Sequence, residues 1–441
     1  MSAHENARLY VQANVVWAIS NVLYYDSAER MLRRGDIEIL DSEIVGVTSP
    51  GTSSATELVD GSGFVCMPGL VNGNLTIGVK PEDGSGNAAS VSSGGGRAAR
   101  LGDILFEAVS SGVTTVGLFS SRVEEDLAVI ARIGVRTSLY RAYMDLWLGP
   151  EPKPVVRDVA ACLCDYANTA RRFESTMLMI QPAVASQLAG STRLLTALHD
   201  RARIANRRLV VRVDEGAPWM NSFRDAYGCS GLGLLSGLDI LDENTLIVPN
   251  APMSFVDRER FRRCNSHVVH QAAELGAQTG RRANIARADI TSRLLASLGW
   301  GRGAPPCTVE IKDSARNEFA GEVIDLLTWK GAHALTFPET GKLARGKRAD
   351  LLLYDGRLIV GNRSSTADCA AILKMICRRK PRGVLINGGW VIGGIPKLQT
   401  GLPLMHSNRQ VCVPSRENSD SSFDVDHSSA PSKSTSCMIP S

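Results

Sequence analysis

Short alternating runs of apolar and polar residues lie near both ends of the chain, separated by turn residues. This pattern is typical of β-strands. The strands predicted toward the N-terminus are residues 9–19, 23–25, 36–40, 43–47 and 63–66, and those toward the C-terminus are 349–354, 383–386 and 389–392. Two β-rich segments that flank a long middle region suggest one small domain assembled from both chain ends.

The middle of the chain alternates strand-like and helix-like patterns, which is typical of a parallel sheet covered by helices. The predicted strands are residues 113–118, 136–141, 177–181, 209–213 and 244–248, and the predicted helices are 123–133, 192–205, 257–264 and a last one within 308–330.

One stretch, residues 67–76, combines a turn with a short strand that carries polar side chains. Strand alternation places Asn72, Asn74 and Thr76 on one face, with Val71 and Leu75 on the other. Polar groups on a buried strand need hydrogen-bonding partners. They either line a ligand cavity or lie at the solvated end of the strand, and the pattern leaves both alternatives open.

Composition narrows the class of protein. The chain has 441 residues, of which 44% are hydrophobic and 21% charged, an ordinary globular balance. A net charge of +4 is too small to favour nucleic acid or membranes as partners. No apolar run approaches the roughly 20 residues of a membrane helix. No secretory pattern opens the chain and the 10 cysteines form no Cys-x-x-Cys pair, so we expect a cytoplasmic protein with reduced thiols.

Two segments have compositions that predict little regular structure. Residues 84–97 are rich in Gly and Ser, which predicts a flexible loop, and no phosphate-binding motif follows them. Residues from about 405 onward are rich in Ser, Asn, Asp and Pro, which predicts a disordered tail.

Several long motifs carry a resemblance to a known family. Residues 60–72, which contain Met67-Pro-Gly-Leu-Val-Asn72, resemble the chain leading into the barrel of the amidohydrolase superfamily. Residues 112–116 resemble its second strand, and 134–145 the third strand of its cytosine deaminase and triazine hydrolase branch. Residues 331–350, with Gly331-Ala-His-Ala-Leu335, resemble the segment that leaves the barrel.

The resemblance covers about residues 10–400 and implies an α/β fold, a (β/α)8 TIM barrel with a small β-sandwich formed by the N- and C-terminal segments. The implied boundaries are 1–66 and 341–404 for the sandwich, 67–340 for the barrel and 405–441 for the tail.

In this family a divalent metal lowers the pKa of a water molecule that attacks a carbon bonded to nitrogen. The resemblance places the metal ligands at positions where this chain has Asn74, Thr76, Arg212, Asn250 and Gly301. Amides and hydroxyls bind zinc poorly and an arginine repels any cation. We therefore expect no metal cofactor. A zinc or iron site remains the alternative if strands six and eight are misaligned.

Cys264, His267 and His270 are the nearest alternative metal ligands. Val268 and Val269 favour a strand here, on which the two histidines point to opposite sides. We therefore predict structural roles for both.

Arg212 takes a position that the family directs into the barrel mouth. With Asp214 or Glu215 beside it, its guanidinium could hold a carboxylate or phosphate of a ligand. Alternatively it pairs with one of these two acids and fills the space left by the metal. In the first case Asn74, Thr76 and Asn250 would be hydrogen-bonding neighbours of the ligand.

Glu215 matches the family's glutamate that handles protons or substrate, and it is the one catalytic candidate. Without a metal-bound water its acid–base role has no support. The segment between Thr76 and Gly112 is short and lacks the helical excursion with which relatives close the site, so we expect a wetter mouth.

Three hypotheses for function follow. The leading one is an amidohydrolase-like protein without the metal site, acting as a metal-independent enzyme or as a pseudoenzyme that binds a small, anionic molecule. The second is a metal-dependent hydrolase or deaminase that acts on C–N bonds, other than peptide bonds, of a small cyclic substrate. The third is a structural partner of an active homologue. Assembly into a homo-oligomer is left open.

Overall fold

The structure is a computed structural model that describes residues 15–75, 94–149, 151–213, 220–249, 254–271, 294–297, 316–356 and 369–393. The predicted tail, 405–441, and residues 84–93 of the predicted flexible loop lie outside these ranges.

Strands and helices of the described residues are numbered in chain order. The strands are β1 (Trp17–Asp26), β2 (Met31–Leu40), β3 (Glu43–Thr48), β4 (Glu57–Asp60), β5 (Phe64–Pro68), β6 (Leu70–Leu75), β7 (Val113–Ser120), β8 (Arg136–Ala142), β9 (Leu178–Val184), β10 (Leu209–Val213), β11 (Thr245–Pro249), β12 (His267–Gln271), β13 (Leu294–Ser297), β14 (Lys347–Arg348), β15 (Leu351–Asp355), β16 (Gly383–Ile386) and β17 (Gly389–Gly393). The helices are α1 (Gly94–Ser110), α2 (Val123–Ile133), α3 (Val159–Phe173), α4 (Thr192–Ile204), α5 (Met220–Tyr227), α6 (Gly231–Gly237), α7 (Phe255–Arg263), α8 (Arg316–Leu327), α9 (Trp329–Ala334) and α10 (Cys369–Arg378).

Strands β6 to β13 form an eight-stranded sheet in which neighbours follow the order of the chain. Every pairing in this sheet is parallel. The first and last strands, β6 and β13, lie against each other, so the sheet curls into a barrel. The predicted fold class, a (β/α)8 barrel with a sheet from the terminal segments, is confirmed.

The barrel strands bury both faces, as parallel strands in α/β proteins do. Alternate side chains point outward into a core shared with the surrounding helices. The others point inward and form a separate interior core. The interior core contains Val71, Tyr140, Ala183, Val210, Leu246, Val248 and Val269 from the strands, and Ala332, Ala334, Leu335 and Phe337 from α9 and the residues after it.

The terminal sheet has the strand order β14-β3-β2-β1-β5-β15-β16-β17, with β4 paired to β1. Strands from both chain ends meet where β5 pairs with β15 in antiparallel register. The sheet and barrel meet at Gly69, between β5 and β6, where an added Cβ would overlap the Thr114 side chain. Only glycine leaves room for this close approach.

A buried ion pair ties the barrel to the terminal sheet. Arg136, the first residue of β8, donates to both carboxylate oxygens of Asp350 at 2.8 and 3.1 Å, and both side chains are 1% exposed. Its guanidinium also donates to the Thr176 carbonyl and lies 5.5 Å from the Phe337 ring centroid. The Asp350 carboxylate accepts in addition from the Asn387 backbone at 2.7 Å.

Two expectations from the sequence are wrong. Val71 and Leu75 do not share a face, because the register of β6 shifts between Asn72 and Leu75 and places Val71 in the interior core and Leu75 in the outer one. The flexible loop predicted for residues 84–97 is wrong at its end, since α1 begins at Gly94 and runs to Ser110. Among the described helices, none has both the length and the apolar run that crossing a bilayer requires.

Candidate ligand site at the mouth of the barrel

We call the end where the barrel strands finish the mouth, and the end where they begin the floor. In parallel barrels, functional residues lie at the mouth. Of the predicted site residues, the structure describes Asn74 and Arg212, whereas Thr76, Asp214, Glu215 and Asn250 lie outside the described residues. The roles predicted for those four therefore stay predictions.

Asn74 lies near the end of β6 and faces the barrel interior. Its neighbour Leu75 pairs with Leu118, and both leucines pack in the outer core. Because side chains alternate along a strand, Asn74 points inward. The Asn74 backbone N–H donates to Asn72 Oδ1 at 3.0 Å. The side-chain oxygen of Asn74 is buried and has no hydrogen-bond partner among the described residues. It is an acceptor that a ligand or a water molecule can satisfy.

Arg212 also faces inward, because its neighbours Val211 and Val213 pack in the outer core. Its guanidinium carbon lies 4.2 Å from the centroid of the Phe119 ring, which comes from near the end of β7. This distance is well within the range of a cation–π contact. The positive charge of Arg212 is thereby fixed at the mouth by stacking across the barrel.

Tyr140 supports this stack from below. Its ring meets Phe119 edge-on with the centroids 5.0 Å apart, and its hydroxyl donates to the Gly73 carbonyl at 2.7 Å. Burial raises the pKa of Tyr140, so the hydroxyl keeps its proton. Gly117 makes the arrangement feasible, because a Cβ there would overlap the Tyr140 hydroxyl.

Phe119 and Tyr140 were not among the site residues predicted from the sequence. Tyr140 lies on a predicted strand and Phe119 directly follows the end of another, and their neighbours Leu139 and Leu118 pack outward. Applying the alternation used for β6 to these two strands would have placed both aromatic rings in the barrel.

Of the predicted site residues, the two that the structure describes at the mouth, Asn74 and Arg212, are poor ligands for a metal ion. An amide binds zinc weakly and a guanidinium repels a cation. In the described part of the chain, no group of three or more His, Cys, Asp or Glu is arranged to hold a metal.

His267 lies at the wrong end of the barrel to serve the mouth. It is the first residue of β12, as the strand prediction requires, and its ring centroid is 6.1 Å from that of His333 on α9. Cys264 donates its thiol to the Phe261 carbonyl at 3.1 Å. The orientation of the His270 side chain lies outside what the structure describes.

Comparison with solved structures finds the same fold in several hydrolases. The atrazine chlorohydrolase of Arthrobacter aurescens TC1, solved with zinc, has a TM-score of 0.68 at 16% identity, over 87% of this chain and 96% of that one. An adenosine deaminase from Xanthomonas campestris, with bound zinc, has a TM-score of 0.65 at 14% identity, covering 88% and 94% of the two chains. The chain has the fold of these two enzymes.

A third neighbour with this fold is an amidohydrolase from an environmental sample of the Sargasso Sea, with a TM-score of 0.64 at 17% identity, over 88% of this chain and 95% of that one. Neither a protein-family model nor a curated protein sequence matches the chain. At these identities the amidohydrolase fold is what is shared, and a fold does not by itself carry an activity from one protein to another.

Proposed function

We propose that this amidohydrolase-fold protein binds a small anionic molecule at the barrel mouth and does so without a metal ion. The observation that carries the proposal is the guanidinium of Arg212, which lies 4.2 Å from the Phe119 ring centroid on the inward side of the fifth barrel strand. The charge that the site presents to a ligand is positive and belongs to the chain itself.

The stacked geometry suits anion binding. A guanidinium stacked on a ring uses its flat face for that contact, whereas its N–H groups lie in its plane and match the two oxygens of a carboxylate or phosphate. The Phe119 and Tyr140 rings and Val248 supply apolar surface in the same interior core. A ligand that joins a carboxylate to a small apolar ring fits both features.

Asn74 supports the proposal independently. Its buried side-chain oxygen lacks a partner among the described residues, and a ligand N–H or O–H group would satisfy it. Thr76 and Asn250 are proposed as further hydrogen-bonding neighbours and Asp214 as a partner that orients Arg212. Whether the protein is a pseudoenzyme or a metal-independent enzyme depends on Glu215, for which we propose a proton-transfer role only in the second case.

A second candidate is a metal-dependent hydrolase or deaminase of C–N bonds in a small cyclic compound. The observation in its favour is that neighbours of the same fold were solved with zinc. It requires metal ligands other than Asn74 and Arg212.

The test uses benzoate and its neutral analogue benzamide, which have the same ring and differ in charge. Benzoate at about a hundred times its dissociation constant should raise the free energy of unfolding by about 2.7 kcal/mol. Benzamide should stabilise the wild-type protein much less. Arg212→Met keeps the length of the side chain and removes its charge, so it should abolish the benzoate effect without unfolding the protein.

Differential scanning calorimetry of both proteins with both compounds gives the answer. Equal stabilisation of wild type and Arg212→Met by benzoate would overturn the proposal, as would equal effects of benzoate and benzamide. An unchanged circular dichroism spectrum and cooperative unfolding of Arg212→Met serve as the control for folding.

A further inference from the structure

A second arginine of the fifth strand faces the barrel from its opposite end. Arg208 precedes β10, and its backbone N–H donates to Gln181 Oε1 at 2.8 Å. Val210, two residues later, packs in the interior core, so strand alternation directs Arg208 inward as well. Arg208 and Arg212 therefore lie on one face of one strand, the first toward the floor and the second toward the mouth.

The Arg208 charge lacks a close acid among the described residues. Its Nε is buried without a hydrogen-bond partner in that part of the chain. Burial lowers the pKa of Arg208 to about 10, against opposing effects of Tyr140 and the exposed Glu243. A guanidinium that is partly desolvated and unpaired is costly unless something neutralises it.

Two imidazoles complete the cluster. His267 is buried at the start of β12 and His333 is exposed on α9, with ring centroids 6.1 Å apart. The Thr336 N–H donates to the His333 carbonyl at 3.0 Å, and Gln181 binds both Thr336 and the Arg208 backbone, so the end of α9 lies beside the start of β10. The partial desolvation of His333 and the charge of Arg208 lower the pKa of His333, in agreement with this placement. Because His333 is exposed, the cluster opens to solvent on the floor side.

Polar residues beside this cluster are joined by hydrogen bonds to one another. Gln181 donates through Nε2 to Thr336 Oγ1 at 2.7 Å and to Ser138 Oγ at 3.1 Å. Its Oε1 accepts from the Arg208 backbone. The side-chain amide of Gln181 therefore makes its hydrogen bonds within the protein and holds the start of β10 in place. It carries no charge and does not neutralise the Arg208 guanidinium.

We propose that Arg208, His267 and His333 form a binding site for a small oxyanion at the floor of the barrel. The ligand class is a sulfate, phosphate or carboxylate group, whose oxygens accept from a guanidinium and from imidazole N–H groups. This site is separate from the mouth and does not depend on the function proposed there.

The experiment measures sulfate binding by isothermal titration calorimetry and thermal unfolding, with sodium chloride at matched ionic strength as the reference. Arg208→Gln removes the charge, and His333→Gln removes one exposed donor with little risk to folding. Charge-assisted hydrogen bonds are stronger than neutral ones, so Arg208→Gln should weaken sulfate binding by about tenfold or more, and His333→Gln by several-fold. Arg212→Met, at the other end of the same strand, is the matched control and should bind sulfate as wild type does.

Each of the following sulfate-binding results would contradict the proposed floor site. Loss of sulfate binding in Arg212→Met alone would place the anion at the mouth. Equal weak binding in all four proteins would mean an adventitious ion only. No binding beyond that of chloride would mean that solvent alone neutralises Arg208. If Arg208→Gln fails to fold, His333→Gln decides the result, since unchanged affinity in that variant contradicts the site.

Discussion

Two arginines of the barrel, Arg136 at the floor and Arg212 at the mouth, are held in different ways. At the floor, Arg136 is 1% exposed and is bound by both oxygens of Asp350, by a backbone carbonyl and by an aromatic ring. At the mouth, Arg212 lies with its guanidinium carbon 4.2 Å from the Phe119 ring centroid. The first arrangement commits the guanidinium N–H groups to protein oxygens, whereas the second places the flat face of a guanidinium on a ring. Ion pairing and aromatic stacking are thus two different ways in which the barrel holds an arginine.

The largest effect on stability is expected from Asp350→Ala, which leaves Arg136 buried without its carboxylate. Removing one partner of a buried ion pair costs about 3–5 kcal/mol, so the free energy of unfolding in urea should fall by that amount. Arg212→Met should change it by far less. A loss below about 1 kcal/mol for Asp350→Ala would show that the floor pair does not fasten the two sheets.

The aromatic support of the mouth allows a finer test. Tyr140→Phe removes the buried hydrogen bond to the Gly73 carbonyl and should cost about 1 kcal/mol. Gly117→Ala forces a methyl group against the Tyr140 hydroxyl and the Gly73 carbonyl and should cost about 1–3 kcal/mol. In urea unfolding the double variant should lose less stability than the sum of the two, because Tyr140→Phe removes the nearest of these contacts. Strict additivity would mean that the hydroxyl is not the contact that limits the size of residue 117.

The smallest expected effect concerns His333 at the floor. Burial and then the charge of Arg208 hold the pKa of His333 below its usual value. Arg208→Gln removes one of these causes, so the pKa should rise toward about 6.5. Nuclear magnetic resonance titration of the His333 ring measures it.

The lowered pKa of His333 also determines how stability depends on pH. Because the folded protein holds this proton less tightly than the unfolded chain does, the contribution of His333 to stability falls as the pH drops through the unfolded value and toward the folded one. Arg208→Gln should make this loss of stability at acid pH smaller. An unchanged pKa of His333 in the variant would mean that the charge of Arg208 does not act on the His333 ring.

Much of the fold could be predicted because local patterns dictate it. The run Leu209–Val213 is a strand with the predicted bounds, and α2 covers the predicted residues and ends at Gly134 in the left-handed conformation that favours glycine. Turn residues and the apolar period fix such elements with little help from the rest of the chain.

The register of β6 was not predictable in this way. A bulge between Asn72 and Leu75 reverses the alternation that the sequence suggests. It arises from pairing with β7, which the local pattern does not contain.

The contacts that define the site are also non-local. Arg136 and Asp350 are 214 positions apart, and Arg212 meets Phe119 across the barrel. The sequence indicated that Arg212 faces the mouth only through the family resemblance. The ring on which it lies follows from how the strands are staggered around the barrel, a property of the closed sheet and not of any one segment.

Elemental analysis is the sharpest test of the proposal that Arg212 and its neighbours take the place of a metal site. The protein is purified without chelators, and zinc, iron and manganese are measured against the protein concentration. We predict far less than one metal ion per chain, even after growth in zinc-supplemented medium. Near-stoichiometric metal that Arg212→Met does not alter would contradict the account and favour a metal-dependent hydrolase.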